Sequence, residues 1–132
     1  TLGVPVVTYG QDEFPSFYSS TSAHNSPLRL DEEKAIATMC RTKWEMGLKG
    51  SVLIANPLSK DKEVPAHIIE AHIQQALEAA DLQKIKGKHI TPFILSHIAK
   101  HSKGESLDAN IALIKSNATL ATKIAVEYSA LA

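Results

Sequence analysis

The sequence predicts an α/β fold, the C-terminal part of an α/β/α layered structure with a mostly parallel sheet, ending in several helices. Three observations predict it. Two short, apolar, β-branched runs occur, at residues 3–9 and 50–56. A segment with helical spacing separates them, and strands joined through a helix lie parallel. Three further helical segments follow the second run. Two strands cannot make a sheet that is covered on both faces, so neighbouring strands are expected from sequence upstream of residue 1.

Taken in order, Gly3, Val4, Pro5, Val6, Val7, Thr8 and Tyr9 read as a buried strand. Residues 10–29 are rich in Ser, Pro, Asn and aromatic side chains, lack periodicity, and read as a long loop. Asp31 is placed to cap a helix whose first turn holds Glu32 and Glu33, where the helix dipole favours acids. Ile36, Met39, Cys40, Lys43 and Trp44 recur at helical spacing, and the helix is expected to end near Gly47.

The second strand closes at Pro57, and residues 58–64 form a charged turn. Pro65 suits a helix start. Ile68, Ile69, Ala71, His72, Ile73, Ala76, Leu77 and Ala80 would be that helix's apolar face. Thr91 as cap and Pro92 at the first helical position open another helix, running to about Ser102. Lys103, Gly104 and Glu105 form a short loop, and Ser106 caps the last helix, which continues towards Ala130.

Composition bounds the function. The 132 residues carry 14 basic and 14 acidic side chains, so the chain lacks the basic surplus that non-specific binding to nucleic acid or an anionic membrane requires. Cys40 is the single cysteine, which excludes a disulfide framework or a cysteine-based zinc site within the chain; a small core residue is expected. No apolar run reaches 18 residues and no signal-peptide pattern is present, so a cytoplasmic setting is expected, with a eukaryotic organelle left open.

The last helix is the most informative element. Leu107, Ile111, Ile114, Ala118, Ala121 and Ala125 form a stripe at 3.6-residue spacing, widened by Leu113, Leu120 and Ile124. Asn110 and Asn117, seven residues apart, fall inside this apolar face. A buried amide must find partners, so these two are either structural amides or groups that meet a polar ligand in a cleft; spacing alone favours structure. Lys88 precedes the helix start at Thr91, where an anion such as phosphate would be favoured, although a surface lysine is the simpler reading. His97 and His101, at i and i+4, could share a metal, but Ile98 stands where the zincin pattern needs Glu and no third ligand is signalled. The sequon at Asn117 is mid-helix and is discounted. The loop carboxylates Asp12 and Glu13 adjoin the aromatics Phe14, Phe17 and Tyr18, which read as a lid or, more simply, as anchors for the loop.

The segments form an ordered set. Gly3-Val4-Pro5-Val6-Val7-Thr8-Tyr9-Gly10 is followed by Asp12-Glu13-Phe14-Pro15-Ser16-Phe17-Tyr18, Lys43-Trp44, Gly47-Leu48 and Val52-Leu53-Ile54-Ala55-Asn56-Pro57. Gly87-Lys88, Thr91-Pro92-Phe93, Ser106-Leu107 and Ala109-Asn110-Ile111-Ala112-Leu113-Ile114 complete it. This set resembles the pseudouridine-5'-phosphate glycosidases, also called indigoidine-synthase-A-like proteins, over nearly the whole chain.

The resemblance implies an α/β/α homotrimer with a divalent metal, typically manganese, bound by residues outside this chain. It implies reversible cleavage of the C–C glycosidic bond of pseudouridine 5'-phosphate to uracil and ribose 5-phosphate. A Schiff-base lysine, a proton-transferring glutamate and a metal-holding aspartate belong to the family's segment upstream of Gly3, so the chain is expected to be a C-terminal part of one domain, inactive alone. Asn110 matches the family's sugar-site asparagine in the Ser-Leu-x-x-Asn motif. Asn117 matches the second asparagine of an Asn-Asn-Ala run in which Ser116 here replaces the first. Ser20 stands where many relatives carry a basic residue. A truncated, non-catalytic form acting in assembly or interaction is the alternative, and a different small-molecule α/β enzyme using His97 and His101 is a third.

Overall fold

A computed structural model describes residues 3–16, 18–102 and 104–131. Phe17 of the aromatic loop and Lys103 of the last turn lie outside the described residues. The strands are β1 (Val6–Tyr9), β2 (Arg29–Leu30) and β3 (Leu53–Ala55); the helices are α1 (Glu33–Glu45), α2 (Ala66–Leu82), α3 (Ile90–His101) and α4 (Glu105–Ala130). All pairing is parallel, in the order β2-β1-β3, with Thr8 opposite Arg29 and Val7 opposite Ile54. The expected parallel pair of apolar strands is therefore present. β2 was not expected, because two residues carry no readable period.

Helix α1 follows β2 and buries Ile36, Ala37, Cys40 and Lys43. It packs on the C-terminal half of α4, where Trp44 meets Tyr128 edge-on at 5.7 Å between ring centroids. Helices α2 and α3 pack on each other, and α3 packs on α4. Their core joins Tyr18, Leu58, Val64, Ile69, Ala76, Ile98 and Ala109. Burying a side chain such as Ile98 contributes about 1.5–3 kcal/mol. No described helix is long and apolar enough to cross a membrane.

The helix starts differ from the expected caps. α1 begins at Glu33 with Glu32 in the capping position, because Asp31 is taken by Arg29 at 2.7 Å. A 3-10 turn at Gly87–His89 runs straight into α3, so Thr91 lies in the first turn and does not cap it. α4 starts one residue early, after Gly104 at φ 93°; Ser106 is buried in its first turn, 2.7 Å from the Ser102 hydroxyl.

The apolar face of α4 divides in two. Ala109 and Leu120 are buried, and Leu113 and Ile124 are half-buried, against the rest of the chain. The stripe expected to face the core is instead exposed: Leu107 at 51%, Ile111 at 42%, Ile114 at 60%, with Ala118, Ala121 and Ala125 exposed between and beyond them. Helical spacing reports that a face is apolar; it does not report what covers it. In α2, likewise, Ile69, Ala76 and Ala80 are buried while Leu77 and Ala71 are exposed.

Candidate functional site at the strand ends

The carboxyl ends of the strands in an open parallel sheet are where ligands gather. Here β1 and β3 end against the middle of α4. Asn56, the residue after β3, donates its side-chain amide to Ser116 Oγ and to Asn117 Oδ1, each at 2.9 Å. Both amide protons are thereby used, and the strand end is tied to the helix. Tyr9, the last residue of β1, donates its hydroxyl to Glu33 Oε1 at 3.0 Å, and Lys123 Nζ approaches the same oxygen at 3.3 Å.

The electrostatics follow from that placement. Glu33 opens α1, where a carboxylate meets the positive end of the helix. Its own backbone N–H, the Tyr9 hydroxyl and Lys123 hold it below the usual carboxylate range. Burial pushes the Tyr9 hydroxyl up, and the neighbouring Glu33 adds to this. Tyr9, Glu33 and Lys123 share with Asn56, Ser116 and Thr119 a cavity of about 340 Å³. Its hydroxyl, amide and ammonium groups beside one carboxylate suit a hydroxyl-bearing molecule.

A second, apolar cavity of about 540 Å³ lies alongside, between α1, β3 and α4. Trp44, Ile54, Leu120, Ile124 and Tyr128 are among its walls, with Asn56 and Asn117 as a polar corner.

Of the expected site residues, Asn117 is brought to Asn56. Asn110 lies two turns earlier, about 10 Å along the axis, at the seam between the packed and exposed sides of α4. It is half-buried and has no side-chain hydrogen-bond partner among the described residues. Lys88 is exposed in the 3-10 turn and Thr91 exposed in the first turn of α3; neither lines the two strand-end cavities.

The long loop is anchored rather than loose. Glu13 accepts the backbone N–H groups of Ser22 (2.7 Å) and Ala23, and Glu63 accepts that of Ser20 at 2.6 Å. Tyr18 is buried in the core, and Asp12 pairs with Arg29 at 3.0 Å. The loop carboxylates thus hold backbone or a guanidinium. The two helical histidines stack, with centroids 4.1 Å apart and planes 20° apart, and His101 Nδ1 lies 2.7 Å from the His97 carbonyl. Stacked rings direct their lone pairs side by side, not towards one point. Among the described residues no three His, Cys, Asp or Glu side chains group as metal ligands.

Sequence reasoning did not weigh Asn56, Tyr9, Glu33 and Lys123 as a group. Each of the first two ends an apolar strand run, which was a usable signal. Glu33 and Lys123, 90 residues apart, meet only through the packing of α1 on α4.

A parallel sheet with polar side chains gathered at its carboxyl ends, closed by a long C-terminal helix, defines a layered α/β protein built to hold a small molecule. The chain belongs to the indigoidine synthase A-like protein family, whose profile matches residues 1–127. It is 46% identical over 131 residues to a pseudouridine-5'-phosphate glycosidase of Nocardioides sp., covering 99% of this chain and 43% of that protein. It is 49% identical over 129 residues to the enzyme of the same name from Geobacillus kaustophilus, covering 98% and 43%. Among solved structures it resembles a prealnumycin C-glycosynthase in complex with ribulose 5-phosphate, with a TM-score of 0.87, 28% identity, and coverage of 98% of this chain and 42% of that one. It also resembles an indigoidine synthase A-like protein of Thermotoga maritima, with a TM-score of 0.79, 31% identity, and coverage of 94% and 40%. The chain therefore spans well under half the length of the proteins it matches.

Proposed function

We propose that the chain supplies one wall of the sugar site of an enzyme that reversibly cleaves the C–C glycosidic bond of pseudouridine 5'-phosphate, giving uracil and ribose 5-phosphate. The observation that carries this reading is the seam on α4. Asn110, half-buried and unpaired among the described residues, lies in line with Asn117, which closes the carboxyl end of β3 through Asn56. An amide in that position has donor and acceptor capacity left for a sugar hydroxyl. Lys88 and Thr91 are secondary candidates for the phosphate.

In this reading the Schiff-base lysine lies outside the chain. The buried lysine present, Lys43, donates to the carbonyls of Lys49 (2.6 Å), Leu48 and Gly50 (both 3.4 Å), so its nitrogen is held away from the strand ends. A desolvated neutral lysine is the nucleophile this chemistry requires. The chain's own residues do not make a site for the manganese that the family resemblance implies, and no step is derived through it. A homotrimer is the proposed assembly of the complete enzyme. The exposed stripe on α4 favours a second reading, a non-catalytic role in assembly.

The test is uracil release from pseudouridine 5'-phosphate with manganese present, by the 132-residue chain and by a polypeptide extended upstream. Activity in the extended protein alone is expected. Activity in neither overturns the glycosidase reading in favour of the assembly role, and activity in the short chain overturns the external lysine.

A further inference from the structure

We propose that the apolar groove between α1, β3 and α4, together with the exposed stripe of α4, is a docking surface for the complementary portion of the family's domain, entering with an apolar face and adding a strand to the outer edge of β3. The proposal rests on the glycosidase reading and names what covers the site. Three observations carry it. The groove, about 540 Å³, is floored by Ile54 of the sheet itself, so its occupant must be continuous with the sheet layer. β3 pairs only with β1 among the described residues, and its Leu53 is 49% exposed. Parallel sheets are covered on both faces, so a three-stranded parallel sheet with an open edge and an open groove is unfinished. Finally, the matched relatives devote only 43% of their length to this segment, which leaves a larger polypeptide of the same family to fill the space.

A second copy of this chain is the competing occupant. It fits less well, because it would present the same incomplete three-stranded edge and would leave the rest of the family's domain without a seat. The polar corner of Asn56 and Asn117 would then lie at the junction of the two portions, and substrate would be enclosed on docking.

The experiment co-expresses the tagged 132-residue chain with the portion of the Nocardioides relative that it does not match. Co-purification in a 1:1 complex is expected, with a blue shift of Trp44, the chain's single tryptophan, now 47% exposed. Ala121→Glu and Ala125→Glu place charge on the exposed groove wall without filling a packed site. They are expected to reduce capture at least tenfold while leaving the chain's circular dichroism melt unchanged. Capture of the double variant equal to that of wild type overturns the docking surface. So does self-association of the chain that the same two substitutions abolish. Where wild type fails to fold alone, the double variant is placed in the upstream-extended polypeptide, and an unchanged melt and unchanged Trp44 emission there overturn the proposal. A complex that forms but releases no uracil sinks the glycosidase reading and leaves the docking intact.

Discussion

Asn56 and Asn117 are joined side chain to side chain, Nδ2 to Oδ1 at 2.9 Å, across a sequence separation of 61 residues. The same Asn56 nitrogen reaches Ser116 Oγ. This one amide fixes the carboxyl end of β3 to the middle of α4, and so sets the width of both strand-end cavities. Asn56→Ala is expected to cost about 1 kcal/mol, since two partly exposed hydrogen bonds are lost and water can replace them only in part. A double-mutant cycle with Asn117→Ala in denaturant unfolding should return a coupling of about 0.5 kcal/mol or more. Strict additivity would show that the pair does not hold the strand end.

Asn110 should behave differently. It has no partner to lose within the described chain, so Asn110→Ala in the upstream-extended protein is expected to leave the melting temperature within about 2 °C of wild type. Turnover on pseudouridine 5'-phosphate is expected to fall by at least roughly tenfold, about 1.4 kcal/mol of barrier. Equal turnover with a lowered melt would make Asn110 a structural amide.

Much of the architecture was legible because long periodic segments report their own type. The strand around Val7, the strand around Ile54 and the helix carrying Ile36 and Cys40 are where their apolar spacing places them. What was illegible has three physical causes. The Arg29–Leu30 strand exists only because β1 offers it hydrogen-bonding groups; alone it has no pattern. The caps moved because Asp31 had a stronger partner in Arg29, and because a 3-10 turn delivers the chain into α3. The face of α4 was read as a single core stripe, whereas Leu120 packs inward and Ile114 does not. At the site, Asn117 was visible as a polar residue on an apolar face, but its partner Asn56 was not, since spacing along one helix says nothing of a strand 60 residues away.

Lys43 is buried at the end of α1, and its ammonium spans three carbonyls of the turn that leads to β3. Gly47, at φ 72°, and Gly50, at φ 91°, let that turn close around it. Lys43→Met keeps the packed stem and removes the donor. A loss of about 1–2 kcal/mol is expected in denaturant unfolding, with faster amide exchange in residues 51–55. Lys43→Arg should not restore it, because a planar guanidinium cannot direct its donors at three carbonyls from one point. A loss below about 0.5 kcal/mol for the methionine variant, the range of ordinary surface changes, would mean the turn holds itself.

The histidines of α2 and α3 make stability depend on pH. His97 is pushed below its ordinary value, first by burial, then by His101, His72 and Lys100. Its Nδ1 and that of His72 are buried without partners, so the fold favours the neutral rings. The unfolded chain, with an ordinary imidazole near 6.5, binds the proton at a pH where the folded chain does not. More protons on the unfolded side means that stability rises with pH through that window. The contribution of His97 is thus complete above the unfolded value and is lost as pH falls from about 6.5 towards the lower folded value. Denaturant midpoints measured at pH 7.5, 6.5 and 5.5 should fall in that order for the wild-type chain. His97→Gln, which cannot take up a proton, should flatten the fall while leaving the part due to His72 and His101. Identical slopes in the two proteins would mean that His97 titrates as freely in the fold as in the open chain, and that the stacked pair on α3 is only a surface feature.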